Sequence, residues 1–332
     1  MYGLIIYIRN LLYDWGVFRS QAVPVRTIGV GNLSVGGTGK TPHTISIVEH
    51  LKITQKVAVL SRGYKRKTKG FVLANAHSTA NEIGDEPMLI HSTFSEVPLA
   101  VCENRVAGVQ QLLQAHPDLD VVILDDVFQH RKIKIDDSIV LTAYDRLYVN
   151  DRMLPWGRLR DCKRSIRRAQ AVVVTKCPES LSEEQMQAVR GKLNLNSQQT
   201  LHFSTVKYAP LRSVFPENKN EIKIADLKDG SILMLTGIAN PKYMHDYLSK
   251  YCNNIQPTVF SDHHDFTRKD MEHIQSQFSA MSADGIILTT EKDAMRLLVH
   301  PNFPSELKAK TYALPIRVAF LSGEANFFGC IC

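Results

Sequence analysis

The sequence predicts an α/β fold: a P-loop-type, doubly wound, mostly parallel sheet with a second, smaller α/β domain and an N-terminal amphipathic helix. Three observations carry that prediction. The glycine-rich stretch Ser34-Val35-Gly36-Gly37-Thr38-Gly39-Lys40-Thr41 lies between a short apolar run and a helical pattern. From Arg26 onward, apolar runs of strand length alternate with helical periodicity, as βαβ units require. Ahead of them Leu4, Ile5, Ile8, Leu11, Leu12, Trp15 and Phe18 recur at helical spacing, with Arg9, Asn10 and Asp14 off that stripe.

The N-terminal helix occupies residues 1–20. A bilayer-spanning helix needs about 20 mainly apolar residues, and Arg9 and Asp14 interrupt this one. Two readings stay open: it lies on a membrane surface, or it packs on its own domain. The nucleotide-binding domain is expected over 21–203. Its elements are a strand at Arg26–Val30, a helix at Thr41–Lys52 with Pro42 tolerated in the first turn, and a strand at Lys56–Ser61. A helix at Asp85–Phe94, a strand at Val97–Cys102, a helix at Glu103–His116 and a strand at Asp120–Asp125 continue the alternation. Ser138–Thr142 and Ala171–Lys176 are further strands, and Ser182–Leu193 a further helix. The polar stretch Asn218-Lys219-Asn220-Glu221 marks a change, and a smaller α/β domain is expected over 204–332. There Ile232–Thr236, Gln256–Phe260 and Gly285–Thr289 read as strands, and Pro241–Lys250 and Arg268–Phe278 as helices. The cleft between the two domains is the expected active site.

Composition narrows the partners. The formal net charge is +7, gathered in Arg62, Lys65, Arg66, Lys67 and Lys69 and in Arg158, Arg160, Lys163, Arg164, Arg167 and Arg168. Such clusters suit an anionic partner. Stacking aromatics do not accompany them, so nucleic acid is not expected. Six cysteines without paired CxxC spacing, and no cleavable secretory signal, point to a reducing cytoplasmic compartment.

The loop carries the chemistry. Glycines at 36, 37 and 39 let backbone N–H groups turn inward, and the helix that starts near Lys40 adds unpaired amides and a partial positive charge. Ser34, Val35, Gly36, Gly37, Thr38, Gly39, Lys40 and Thr41 are therefore the expected nucleotide-binding residues. Lys40 would reach the β- and γ-phosphates, and the Thr41 hydroxyl would ligate Mg2+. Val121-Val122-Ile123-Leu124-Asp125-Asp126 is a buried strand ending in two acids, the Walker-B form, and Asp125 and Asp126 are assigned to the metal and its shell. Gln129 and His130 come next, at the carboxyl end of that strand, where sites in such sheets sit.

Taken together, Val30-Gly31-Asn32-Leu33 with the loop, Ser61-Arg62-Gly63-Tyr64, Gly84-Asp85-Glu86-Pro87, Asp125 to Arg131, Leu154 to Arg160, Asp262-His263-His264 and Thr290 to Ala294 resemble the tetraacyldisaccharide 4′-kinases of lipid A synthesis. Ser34, where the general loop pattern has glycine, matches that family. The resemblance implies transfer of the γ-phosphoryl of ATP, with Mg2+, to the 4′-hydroxyl of an acylated glucosamine disaccharide 1-phosphate, giving lipid IVA. It implies work at the cytoplasmic face of the bacterial inner membrane. It further implies Asp85 as the group that orients or deprotonates the sugar hydroxyl, with His263 holding that carboxylate on domain closure and Glu86 and His264 as adjacent alternatives. Gln129 and His130 would lie near the γ-phosphate or acceptor. Where the family tends to show Leu-Arg-Glu-Pro, this chain has Leu159-Arg160-Asp161-Cys162, so Asp161 is a further metal-shell candidate.

Two rivals come from other classes. A nucleotide-switch, GTPase-like membrane-associated protein is suggested by Val172 to Pro178, similar to the strand and loop that read guanine, yet Pro178 stands where guanine reading needs a carboxylate. A membrane-surface binding protein without catalysis would need the basic clusters and the first helix, but not paired Asp125 and Asp126 behind a phosphate loop. Acyl-chain preference and oligomeric state are not encoded in any recognisable motif.

Overall fold

The computed structural model describes residues 2–218, 220–238, 240–262, 264–282 and 284–331. The chain divides into two compact units: residues up to Lys207 together with those from Val318 onward, and Tyr208–Arg317. The first runs α1 (Tyr2–Asp14), β1 (Arg26–Asn32), α2 (Lys40–Leu51), β2 (Val57–Ser61), β3 (Val72–Leu73), α3 (Ala80–Ile83), α4 (Asp85–Thr93), β4 (Leu99–Val101) and α5 (Arg105–Ala115). It continues with β5 (Val121–Asp125), β6 (Asp137–Ala143), β7 (Ala171–Thr175), α6 (Glu183–Leu193) and β8 (Thr200–Tyr208), with a 3-10 turn at Lys163–Arg168 ahead of β7. The second holds β9 (Arg212–Ser213), β10 (Ser231–Thr236), α7 (Lys242–Leu248), β11 (Asn254–Val259), α8 (Arg268–Ser279), β12 (Ile286–Thr290), α9 (Glu291–Leu298), α10 (Ser305–Lys308) and β13 (Thr311–Leu314). Finally β14 (Ile316–Phe320) and α11 (Glu324–Gly329) lead the chain back to the first unit.

The large sheet has the order β14-β8-β7-β6-β1-β5-β2-β4-β3. From β8 to β4 every pairing is parallel, and β3 is antiparallel to β4. This is the mostly parallel sheet that the apolar runs predict. Pleating assigns its faces: Val122 and Leu124 of β5 join Val109 and Leu112 of α5 in one cluster, while Asp125 turns to the other face, where Thr44 of α2 meets it. Helices on both faces make the sheet doubly wound.

The second unit repeats the design with the order β11-β10-β12-β13-β9. Leu233, Leu235 and Ile287 pack with Met271 and Ile274 of α8, whereas Ile232, Met234 and Leu288 pack with Met244 and Leu248 of α7.

Residues from Val318 onward differ from the expected 204–332 domain. The Leu321 N–H donates to Phe203 O at 2.9 Å, and Phe327 lies 5.2 Å from His202, centroid to centroid. Phe328 stacks on His50 at 3.8 Å. The aromatic tail thus buries its apolar surface on the first unit, a long-range pairing that local sequence does not announce.

Helix α1 docks with its polar side inward. Asn10 is buried and donates to Asp161 Oδ1 at 2.8 Å; Arg9 donates to Gln129 O; Arg131 donates to Asn10 O and pairs with Asp14. Leu4, Ile5 and Ile8 remain 62%, 58% and 47% exposed. Periodicity identifies the stripe, and the polar contacts decide that it faces out. No helix among the described residues is long and apolar enough to cross a membrane.

Candidate active site

Strand β1 delivers the loop to the carboxyl edge of the sheet. Gly31 is glycine because Phe128 crosses here: a Cβ at 31 would stand 2.5 Å from Phe128 Cβ. Asn32, buried at the end of β1, organises the loop. Its Nδ2 donates to Thr38 Oγ1 at 2.7 Å, its Oδ1 accepts from Arg160 at 2.6 Å, and its backbone oxygen accepts from Gln129 Nε2 at 2.7 Å. The Val35 N–H donates to Arg158 O, and Thr175 Oγ1 donates to Thr38 O at 2.9 Å. The loop backbone is fixed from several sides while Val35, Gly36 and Gly37 at its tip stay exposed. Gly39 has φ +84°, which turns the chain into α2. The first N–H groups of α2, among them those of Lys40 and Thr41, have no carbonyl of their own helix to bond.

His43 is a functional residue that sequence reasoning misses. Its Nδ1 lies 2.7 Å from Gly39 O and must donate there, so Nε2 accepts from Ser204 Oγ at 2.9 Å. The imidazole braces the last turn of the loop against β8. Burial pulls its pKa from 6.5 to about 4, against the Gly39 contact. Because the unfolded chain binds this proton below its ordinary pKa and the folded one does not, stability is lost as pH falls from 6.5 toward about 4. His43→Gln is expected to lose less stability than the wild type between pH ~7 and pH ~5, the difference amounting to about 2 kcal/mol in urea unfolding. Equal losses would show that His43 does not titrate this way.

Opposite the loop stand the Walker-B acids. Asp125 accepts from Thr44 Oγ1 at 3.2 Å and Ser61 Oγ at 3.1 Å. Burial first, then the charge of Asp126, pushes its pKa up to about 6. Asp126 follows the strand with φ +49° and pairs with Lys40 Nζ at 3.6 Å and with both terminal nitrogens of Arg160. Burial alone would raise its pKa; Lys40 and Arg160 outweigh it and hold the carboxyl well below the usual range. Arg105, a second residue not singled out from sequence, lies fully buried beneath and donates to Cys102 O and Asp125 O. The donor set fits Mg2+: the Thr41 hydroxyl and two carboxylates are hard oxygen ligands, and this ion completes its shell with water and phosphate oxygens. Among the described residues no three His, Cys, Asp or Glu side chains form a closed cage.

Asp85 and Glu86 head α4, which packs on α2 and leads into β4. Since β4 runs parallel to its neighbour β2 and α4 must run back against it, the head of α4 lies at the same carboxyl edge as Lys40 and Asp125. Gly84, φ +95°, turns the chain into the helix with Tyr64 O only 3.1 Å from where its Cβ would be. Glu86 is close enough to Asp125 to help raise its pKa. His130 keeps a buried Nε2 with no partner among the described residues, and burial, then Arg105, lowers its pKa to about 4. Gln129 serves the loop from behind, through Asn32. His263 lies outside the described residues. Its neighbour His264 is engaged within the second unit, 2.9 Å from Asp270 and stacked on Phe260.

Asp161 does not fit the metal shell expected of it. Arg160 and Asp161 both donate their N–H to Leu33 O at a bend in the chain, and their side chains part there: Arg160 pairs with Asp126, while Asp161 accepts from Asn10 of α1. The Asp161 carboxylate is 2% exposed and fully used: Asn10, Ser165 and the Cys162 N–H donate to Oδ1, and Arg168 to Oδ2. Asp161→Ala leaves Arg168 uncompensated and should cost ~2–4 kcal/mol, seen as a lower melting midpoint without nucleotide. Unaltered melting with lost Mg2+ dependence would restore the metal role.

The basic clusters also divide. Arg66 pairs with Glu103, and Arg160 and Arg168 are internal. Arg164 and Arg167, with Tyr7, Leu11 and Arg131, line a cavity of about 230 Å³ beside α1.

Glycine loops set this way against strand-end acids hold a triphosphate tail for transfer, so fold and site define a P-loop phosphotransferase. Comparison with known proteins gives the family. The chain belongs to the tetraacyldisaccharide-1-phosphate 4′-kinases: the family model described as "LpxK: Tetraacyldisaccharide-1-P 4'-kinase" matches residues 1–330. The tetraacyldisaccharide 4'-kinase of Bacteroides thetaiotaomicron is 44% identical over 337 residues, covering 99% of this chain and 89% of that protein. That of Flavobacterium johnsoniae is 43% identical, covering 98% and 92%. A solved structure described as the "apo" form of LpxK from Aquifex aeolicus in complex with ATP superposes with a TM-score of 0.76 at 29% identity, covering 99% of this chain and 95% of that one.

Proposed function

We propose that this chain transfers the γ-phosphoryl group of ATP to the 4′-hydroxyl of a tetraacylated glucosamine disaccharide 1-phosphate, the lipid A precursor step its family name describes. The observation that carries the reading is the Lys40, Asp126 and Arg160 cluster at the foot of the glycine loop. With the triphosphate bound, Lys40 exchanges Asp126 for the β- and γ-phosphates, and the exposed loop amides hold the remaining oxygens. Thr41, Asp125 and Asp126 hold Mg2+, whose charge neutralises the phosphate tail when bound. His130 offers to the acceptor side an Nε2 that has no partner among the described residues. Asp85 orients or deprotonates the sugar hydroxyl, and His263 keeps the role that the family resemblance implies. Incubation with γ-labelled ATP and detergent-dispersed tetraacyl disaccharide 1-phosphate should give a doubly phosphorylated lipid. Label released only to water would overturn the reading.

A lipid acceptor must be met at an interface, and the outward stripe of Leu4, Ile5 and Ile8 supports α1 lying on the cytoplasmic face of the inner membrane. Arg164 and Arg167 stand beside it for anionic headgroups. The wild type should float with phosphatidylglycerol vesicles, and a variant with serine at positions 4, 5 and 8 should stay behind. Equal flotation of both would remove α1 from that role.

A further inference from the structure

One lysine by the loop has no place in that mechanism. Lys176 follows β7 with φ +56°, a left-handed conformation that a lysine adopts only at a cost. Thr175 beside it is bonded to Thr38 O, so the turn is tied to the loop backbone. This conformation carries the Lys176 side chain over the loop, with Nζ 3.7 Å from where a Cβ on Gly37 would stand. The side chain is half-buried and has no hydrogen-bond or ion-pair partner among the described residues. Burial lowers its pKa, with Asp145 opposing. A half-buried cation with no hydrogen-bonded acceptor among the described residues is placed for one that arrives with a ligand.

Sheet order says which part of the ligand. In the sequence β7-β6-β1-β5 the loop follows β1, the acids end β5, and Lys176 ends β7 on the opposite flank. Lys40 is drawn to the acid flank, 3.6 Å from Asp126, and the transferred phosphate belongs there. The flank of Lys176 is left for the other end of the nucleotide. Neither neighbour reads a base: Cys177 Sγ is turned to Val174 O at 3.3 Å, and Pro178 has no donor.

We propose that Lys176 is a second nucleotide-binding cation, which clamps the ribose end of the donor, beyond the phosphate tail, without reading the base. It sets nucleotide affinity rather than the transfer rate, and it rests on the ATP-dependent reading of the site. Lys176→Met, which keeps the aliphatic stem, should weaken MgATP binding by roughly tenfold or more in calorimetry, with kcat at saturating ATP little changed. Competition by magnesium tripolyphosphate, which lacks a nucleoside end, should be the same for variant and wild type. Lys176→Arg should recover most of the ATP affinity. Unchanged ATP affinity in Lys176→Met overturns the proposal. So does an equal loss of tripolyphosphate affinity, which would mean that the substitution merely disturbs the loop. Wild-type protein that binds no MgATP would instead overturn the ATP-dependent reading itself.

Discussion

Lys40→Ala is expected to lower kcat for phosphoryl transfer by about 10²–10³, corresponding to ~3–4 kcal/mol of transition-state stabilisation. The lysine is the cation at the head of the helix that follows the loop. It leads α2 directly after Gly39, so its ammonium and the free amides of the first turn converge on the same anion. Its charge is directed to Asp126, which Arg160 also holds. Alanine therefore leaves Asp126 paired, and because the Lys40 side chain is partly exposed the melting midpoint should move by no more than a few degrees, roughly the worth of one exposed ion pair. The combination of intact folding and lost transfer is what the donor-site assignment requires. Turnover at the wild-type rate would reject it.

Much of this site is legible in the sequence because its parts are local. A glycine loop needs particular residues at fixed spacing, and a buried parallel strand such as Val121–Asp125 shows as an unbroken apolar run that ends in acids. What is not legible depends on distant partners. Strand β8 reads poorly as a strand because it buries His202, Ser204 and Thr205, and Ser204 is polar in order to receive His43 from α2. His43 looks like any helix residue until that partner is known. Asp161 reads with Arg160 as one motif, yet the bend there sends one side chain to the Walker-B acid and the other to α1. The same holds for α1: periodicity finds the stripe, while only Asn10 reaching Asp161 tells which side is inside. Helix α9 carries a usable signal, since Thr290 caps Asp293 three residues on, but that stretch reads first as a family motif.

Asp85→Ala should reduce kcat by about 10²–10⁴, the usual worth of a positioned general base, and leave MgATP affinity near the wild-type value. The neighbouring Glu86 is the natural rival, and its coupling to Asp125 gives the pair a test. Glu86 is among the charges that raise the pKa of Asp125, so it is coupled to the metal-side acid. Removing it should lower the Asp125 pKa and thereby alter Mg2+ and nucleotide binding. Successive helix residues project about 100° apart, so the two carboxylates leave the helix head on different sides. Gly84 and the start of α4 hold Asp85 at the carboxyl edge of the sheet. The two variants therefore make a paired test: Asp85→Ala affects transfer at unchanged ATP affinity, and Glu86→Ala shifts the Mg2+ requirement. For a base, the acid limb of the kcat profile should also vanish in Asp85→Ala, because the group whose protonation produces it is gone. If the limb persists in Asp85→Ala and disappears in Glu86→Ala, the base is Glu86, and the first turn of α4 meets the sugar with its other carboxylate.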